Sequence, residues 1–248
     1  MSSQSAIEWT EQTWNPVIGC TKVSAGCKNC YAETMASRLK AMGVTDYADG
    51  FTIKMLPHRL RQPLERKKPT VYFVNSMSDL FHPEVSTEYV HQVIEVMRRA
   101  HWHTFQVLTK RSDRLDSVLA GIEIPENVWL GVSVENKRHG VPRIDDLRSI
   151  DCATRFLSIE PLLEDIGSVN LNGIHWVIVG GESGPGARPM SATWVENIHA
   201  QCKKAKVPFF FKQWGAWGVD GVRRSKKANG RLFQGQTWSE YPSESAFA

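Results

Sequence analysis

The chain has 248 residues, of which 42% are hydrophobic, and a formal net charge of +4. That length can bury a substantial core as one large α/β domain or two small ones. No apolar run approaches the ~20 residues needed to cross a bilayer, and the opening MSSQSAIEWTEQ lacks the basic and apolar regions of a signal peptide.

The charge suits a polyanionic partner without requiring one. Five cysteines, an odd number with three of them clustered, do not make a disulfide framework in a chain this long. A soluble protein of the reducing cytoplasm, with no membrane partner, is expected.

The cluster comes first in the chain. In GCTKVSAGCKNCYAETMASRL, Gly19 to Leu39, Cys20, Cys27 and Cys30 are separated by six and then two residues. Gly19 and Gly26 each precede a cysteine and free the loop to fold around a centre. Tyr31, Met35 and Leu39 recur four apart, which predicts a helix beginning at the last cysteine. Its unpaired amides and positive dipole end would favour the thiolate form.

Three thiolates on one loop point to a metal. Structural zinc takes four protein ligands and catalytic zinc three plus water, whereas a four-iron, four-sulfur cluster is held by thiolates. The nearest further ligands, His58 and His82, are far along the chain. Three ligands leave a metal position open for a substrate or cofactor. A closed zinc site completed by a distant His or Cys is the competing reading.

Beyond a polar, proline-containing passage to Pro69, strands are predicted at Val71–Val74, Phe105–Leu108, Val128–Val134, Arg155–Ile159, His175–Val179 and Pro208–Phe211. Helical spacing falls between them: Val85–Arg99 through Val90, Val93, Ile94 and Met97; Leu115 to Leu119; a segment reaching Ile150; and TWVENIHAQCKKAK. With a short strand expected just before Gly19, the succession predicts an α/β fold. The sheet is parallel, either an open doubly wound sheet or a full or partial (β/α) barrel, and runs such as WVIV and FFF suit strands buried on both faces.

A polar cluster follows almost every strand: Asn75, Ser76, Ser78 and Asp79; Thr109 and Lys110; Ser133, Glu135 and Asn136; Ser158 and Glu160; Gly180 to Ser183; Lys212 to Trp214. Parallel sheets bind ligands at the carboxyl ends of their strands. The clusters are therefore expected to share one rim with the cysteine loop. Cys152 and Cys202 read as small buried apolar residues. Trp214 and Trp217 read as a stacking platform or as core, and the basic runs at Arg59–Lys68 and Arg223–Lys227 as solvated surface.

Residues 1–218 are expected to form the barrel domain. Residues 219–248 are expected to form an irregular or hairpin-like extension, turning near Gly230 and Gly235 and frayed at its end.

Through TWNPVIGC, VNSMSDLFH, VLTKR, LGVSVEN, SIEPL, VGGESG and FFFKQWG, nearly the whole chain resembles a phage-associated three-cysteine family of unassigned function. Three close cysteines at the start of an α/β chain, the last at a helix start, also resemble the radical S-adenosylmethionine superfamily. That resemblance implies a radical-SAM-like barrel in which Cys20, Cys27 and Cys30 hold three irons of a 4Fe-4S cluster. S-adenosylmethionine then occupies the fourth iron, and an electron donor drives its reductive cleavage to a 5′-deoxyadenosyl radical.

The same resemblance implies that Ser76, Ser78 and Asp79 contact the methionine amino group. Ser133, Glu135 and Glu160 would meet the ribose and carboxylate or the substrate. Three features differ from the common pattern: the six-residue gap between the first two cysteines is longer, Asn29 stands where an aromatic is usual, and SMSD lacks glycines. A nucleic acid or nucleotide-derived substrate is the expectation from the basic charge and the aromatic residues after the last strand. The alternative is a zinc-binding nucleic-acid-binding protein without catalysis.

Overall fold

In the run VYFV, successive side chains point to opposite faces, as the pleat of a strand requires: Tyr72 and Val74 join one apolar cluster and Phe73 another. Both faces carry buried apolar side chains, and the same alternation continues across the sheet.

The structure, a computed structural model, describes residue 5 and residues 7–242. In chain order its strands and α-helices are β1 (Gln12–Trp14), β2 (Val17–Ile18), α1 (Tyr31–Ala41), β3 (Lys54–Met55), α2 (Gln62–Glu65), β4 (Val71–Val74), α3 (Thr87–Arg99) and β5 (Thr104–Thr109). They continue with α4 (Leu115–Leu119), β6 (Val128–Ser133), α5 (Pro142–Ser149), β7 (Thr154–Ile159), β8 (Trp176–Gly180), α6 (Ala192–Ala205), β9 (Phe209–Gln213) and α7 (Lys226–Asn229).

Seven strands form one parallel sheet in the order β1-β4-β5-β6-β7-β8-β9. Each crossover steps one place in the same direction, so the helices stack on one face and the sheet curls into a half-barrel, the partial form of the expected barrel. The doubly wound alternative would have needed the order to reverse. The convex face packs Val107, Leu130, Leu157 and Val177 against the helices, while the concave face carries Phe73, Trp129, Phe156, Trp176 and Phe210. Gly131 sits among the latter for a steric reason: a Cβ there would lie 2.5 Å from the Phe156 ring.

Local chemistry explains the boundaries. Ser86 caps α3 by accepting from the Tyr89 amide at 3.2 Å, and Val90, Val93, Ile94 and Met97 are all buried as their spacing predicts. In α1 the buried residues are instead Ala32 and Ala36, with Tyr31 57% and Met35 39% exposed. Small residues let this helix lie close to its neighbours, and no apolar face of large side chains is buried. The β7–β8 crossover contains no helix; Ile166, Leu171 and Ile174 cover the sheet from an irregular segment.

The seventh strand differs from the expected one. It is β1, while Val17–Ile18 turns away to pair antiparallel with Lys54–Met55. Pro16 lies between them and has no amide to continue the ladder. Asn15 uses its side chain instead, accepting from the Met77 amide at 2.9 Å.

Past β9, Gln234 and Gly235 have φ of 52° and 78° and form a tight turn closed by a Phe233–Gln236 bridge. Trp238 to Glu240 then lies along the free edge of β9, with the Phe211 amide donating to Trp238 O at 3.1 Å. The expected frayed tail, residues 243–248, lies outside the described residues. Among the described residues no helix is long and apolar enough to cross a membrane.

Candidate active site at the cysteine loop

The concave face changes character from one end of the strands to the other. Reading along inward-facing positions, Phe156 gives way to Ser158 and Glu160, Trp129 and Gly131 to Ser133, and Phe210 to Lys212. The aromatic end is filled. The polar end opens into a cavity of about 400 Å³ lined by residues from every one of the six polar clusters and by Cys20, Cys27 and Cys30. The expected shared rim is therefore present, with Glu135, Asn136, Gly180 and Trp214 off the cavity wall. Trp214 is core and donates to Leu232 O, and Trp217 donates to Ala187 O, so both indoles are used internally.

The cysteine loop crosses the cavity and is held at several points. Arg111 donates to Thr21 O at 3.0 Å and to Thr21 Oγ1 at 2.8 Å, and that hydroxyl also meets His82 Nε2 at 2.7 Å. Asn29 donates to Gly186 O at 2.7 Å, and Arg188 reaches Ala25 O at 3.0 Å while forming a two-point ion pair with Glu182. Tyr31 OH donates to Ser76 O. Gly19, at φ 78°, lies so close to Thr52 O that a Cβ would sit 2.2 Å from it. No single contact is strong, but together they fix both flanks of the loop.

All five cysteines are free thiols. Cys152 and Cys202 are buried as expected, and Cys202 is pushed up to about 12 by burial. Burial, with Asp79 adding to it, pushes the Cys20 thiol up to about 11 against the opposing pull of Arg111. A cationic ligand would therefore have to displace that proton. Cys30 is the N-cap of α1 and makes no side-chain capping hydrogen bond, so the positive end of the helix begins at the last cysteine. Among the described residues no three His, Cys, Asp or Glu side chains converge on a single metal-ion position.

The other expected site residues fall into two groups. Ser76, Ser78, Asp79, Ser133 and Glu160 line the cavity. Several are already engaged: Ser76 with Asn15, Ser78 with Val17 O, and Ser133 with Lys110 Nζ at 2.9 Å. Asp79 accepts from the Phe81 amide, the Lys110 amide and Thr109 Oγ1, which makes it a brace between the loops after β4 and β5. Glu160 pairs with Lys212 at 3.3 Å, in space that exists because residue 180 is glycine.

Glu135 stands apart. It is fully buried beneath Gly26, pairs with Arg143 at 2.6 Å, and does not line the cavity. Burial alone would raise its carboxyl; Arg143, then Ser24 of the cysteine loop and Lys110, hold it below the usual carboxylate value. Its Oε1 completes no hydrogen bond among the described residues.

Sequence reasoning missed the braces Arg111, Arg143 and Arg188 and the cavity wall at Glu8 and Trp9. None lies in a motif whose spacing announces its partner. Of the basic run near the C-terminus, Arg223 donates to Pro185 O, Arg224 pairs with Asp220, and Lys226 pairs with Glu8, so much of it is consumed within the molecule.

A family model described as "Protein of unknown function (DUF5131)" matches residues 4–242. No curated protein sequence matches the chain. Among solved structures, spore photoproduct lyase complexed with dinucleoside spore photoproduct is similar at 13% identity over 82% of this chain, with a TM-score of 0.48. A double mutant of that lyase with bound AdoMet and dinucleoside spore photoproduct matches over the same share at 13% identity and a TM-score of 0.46. The chain spans 64% of the length of these structures.

Proposed function

Because the chain belongs to the DUF5131 family, whose description carries no reaction, we propose from the site itself that it is an iron-sulfur enzyme of radical S-adenosylmethionine type. The observation that carries this reading is the meeting, in one cavity at the carboxyl ends of a parallel half-barrel, of three free thiols from one loop with the polar residues that end six other strands.

The donor set fits the cofactor. A four-iron, four-sulfur cluster takes each thiolate on a different iron, so Cys20, Cys27 and Cys30 need not converge on one point. Three protein thiolates leave one iron for another ligand. Held there, the cluster would supply one-electron reduction of the sulfonium with an electron from an external reductant, and S-adenosylmethionine would supply the 5′-deoxyadenosyl radical with methionine as the leaving group.

The chain's own residues bind, orient and exclude water. Lys110, whose ammonium donates to Ser133 and enters no ion pair among the described residues, is the cavity cation suited to a carboxylate or phosphate. Ser76, Ser78 and Asp79 border the position for the methionine amino group, and Ser133 and Glu160 that for the ribose or substrate. Glu135 supports the loop from beneath. An external reductant supplies the electron, a reducing cytoplasm keeps the thiols free, and the substrate is a nucleic acid or nucleotide-derived.

The test is purification without oxygen, measurement of iron, acid-labile sulfide and zinc, and addition of dithionite and S-adenosylmethionine. About four irons per chain and release of 5′-deoxyadenosine are expected. Stoichiometric zinc that persists through anaerobic reconstitution with iron and sulfide, with no deoxyadenosine, would overturn the proposal.

A further inference from the structure

The cavity wall nearest the aromatic floor holds a donor and an acceptor that the chemistry at the cysteine end leaves unused. Trp9 is 2% exposed, its ring centroid lies 4.6 Å from that of Phe73, and its Nε1 has no hydrogen-bond partner among the described residues. The preceding residue, Glu8, accepts at Oε1 from Lys226 Nζ at 2.6 Å, while its Oε2 is buried and has no partner among the described residues. Both residues line the cavity, together with Phe73 and Leu108.

Buried polar atoms are almost always satisfied, and each one left unpaired costs stability. At the polar rim of the same cavity, Asn75 Nδ2 and Gln213 Oε1, in residues 3% and 6% exposed, are likewise without partners among the described residues. Trp9 Nε1 and Glu8 Oε2, a donor and an acceptor in consecutive residues that share the cavity with Phe73 and Leu108, describe the ligand they lack.

We infer that this end of the cavity is a nucleobase subsite: a flat heteroaromatic ring lies against Trp9, Phe73 and Leu108, and its edge offers an acceptor to Trp9 Nε1 and an N–H to Glu8 Oε2. Each common base presents a donor beside an acceptor on one edge, and enzymes that act on bases read that edge while holding the ring between apolar side chains. A benzene ring lacks the edge. A peptide amide has the polar pair but no ring to cover the wall.

Lys226 keeps Glu8 in place from the other end of the chain, so α7 and the N-terminal segment build the subsite jointly. The inference rests on the preceding reading for the fate of the bound base, while the binding is tested apart from it.

The full chain, purified anaerobically, is titrated with each of the four deoxynucleoside monophosphates and with phenyl phosphate, which has the ring and the phosphate without the edge. Calorimetry and tryptophan fluorescence follow binding, with and without saturating S-adenosylmethionine. At least one nucleotide is expected to bind saturably, tighter than phenyl phosphate by about tenfold or more, and to remain bound with S-adenosylmethionine present. Trp9→Phe, which keeps a ring and deletes the N–H, and Glu8→Gln each weaken that nucleotide by about tenfold.

Circular dichroism checks the fold of both variants, and Glu8→Gln decides alone if Trp9→Phe fails to fold. Absence of nucleotide binding, binding no tighter than that of phenyl phosphate, loss of all nucleotide binding on adding S-adenosylmethionine, or affinity unchanged in the folded variants would each overturn the inference. Failure to find iron or deoxyadenosine would sink the enzyme reading and leave these binding outcomes standing.

Discussion

Replacing Arg143 with Met tests whether the buried charge pair beneath the cysteine loop does what its geometry implies. Glu135 is fully buried and Arg143 is 6% exposed, with 2.6 Å between their charged atoms. Removing one partner of such a pair costs about 3–5 kcal/mol, because the other charge is left in the interior. For a chain of this size that is a fall in Tm of about 6–20 °C.

The pH dependence carries the sharper signature. In the native protein the Glu135 carboxyl is held below its ordinary value despite burial, with Arg143 foremost among the groups that lower it. Its contribution is fully present above the unfolded carboxylate value of ~4.3 and is lost as pH falls through the lower folded value. Without Arg143, burial dominates and raises the folded value. The penalty is then absent at low pH and grows as pH rises through and beyond ~4.3.

Thermal scans from pH 4.5 to 7.5 should therefore show the deficit of Arg143→Met widening with pH. Glu135→Gln combined with Arg143→Met should remove that widening and recover most of the Tm. Parallel profiles for the native protein and Arg143→Met would refute the assignment of a charged, buried Glu135.

Substituting Ala for Cys20, Cys27 or Cys30 should abolish retention of iron after anaerobic reconstitution, whereas Cys152→Ala should lose about 1 kcal/mol of stability in urea and keep its iron. Gly131→Ala should destabilise the chain by about 1–3 kcal/mol, because the new methyl meets the Phe156 ring and the sheet has no slack there; a urea midpoint equal to the native one would show that the floor is loosely packed. Arg188→Met cuts the link to Ala25 O and the pair with Glu182. Alkylation of Cys27 by iodoacetamide should then accelerate several-fold at constant pH, and an unchanged rate would mean that the loop is held without it.

Much of the fold is legible in the residues. Six strands and the capped α3 follow from alternation and helical spacing, and the polar end of each strand marks the rim. What is not legible is pairing over long separation. Nothing near Glu135 shows that Arg143 would neutralise it and remove it from the cavity wall, since a carboxylate after a strand looks the same whether it faces a ligand or a guanidinium. The seventh strand was obscured because Gln12–Trp14 is too short to show a period, and the two residues before Gly19 had the stronger β character. Trp9 and Glu8 lie ahead of any periodic segment, so their place on the cavity depends wholly on where the N-terminal segment docks.

The straps on the cysteine loop have a consequence for the order in which the protein is made. A chain emerging amino-terminus first displays Cys20, Cys27 and Cys30 early, but the groups that hold their loop, Arg111, Gly186 and Arg188, arrive much later. Until β8 and the segment after it have docked, the three thiols sit on an unsupported loop exposed to oxidation and to stray metal. Under the proposed function, loading of the site would therefore belong after translation, and a chain arrested before about residue 188 would carry the three thiols without the frame.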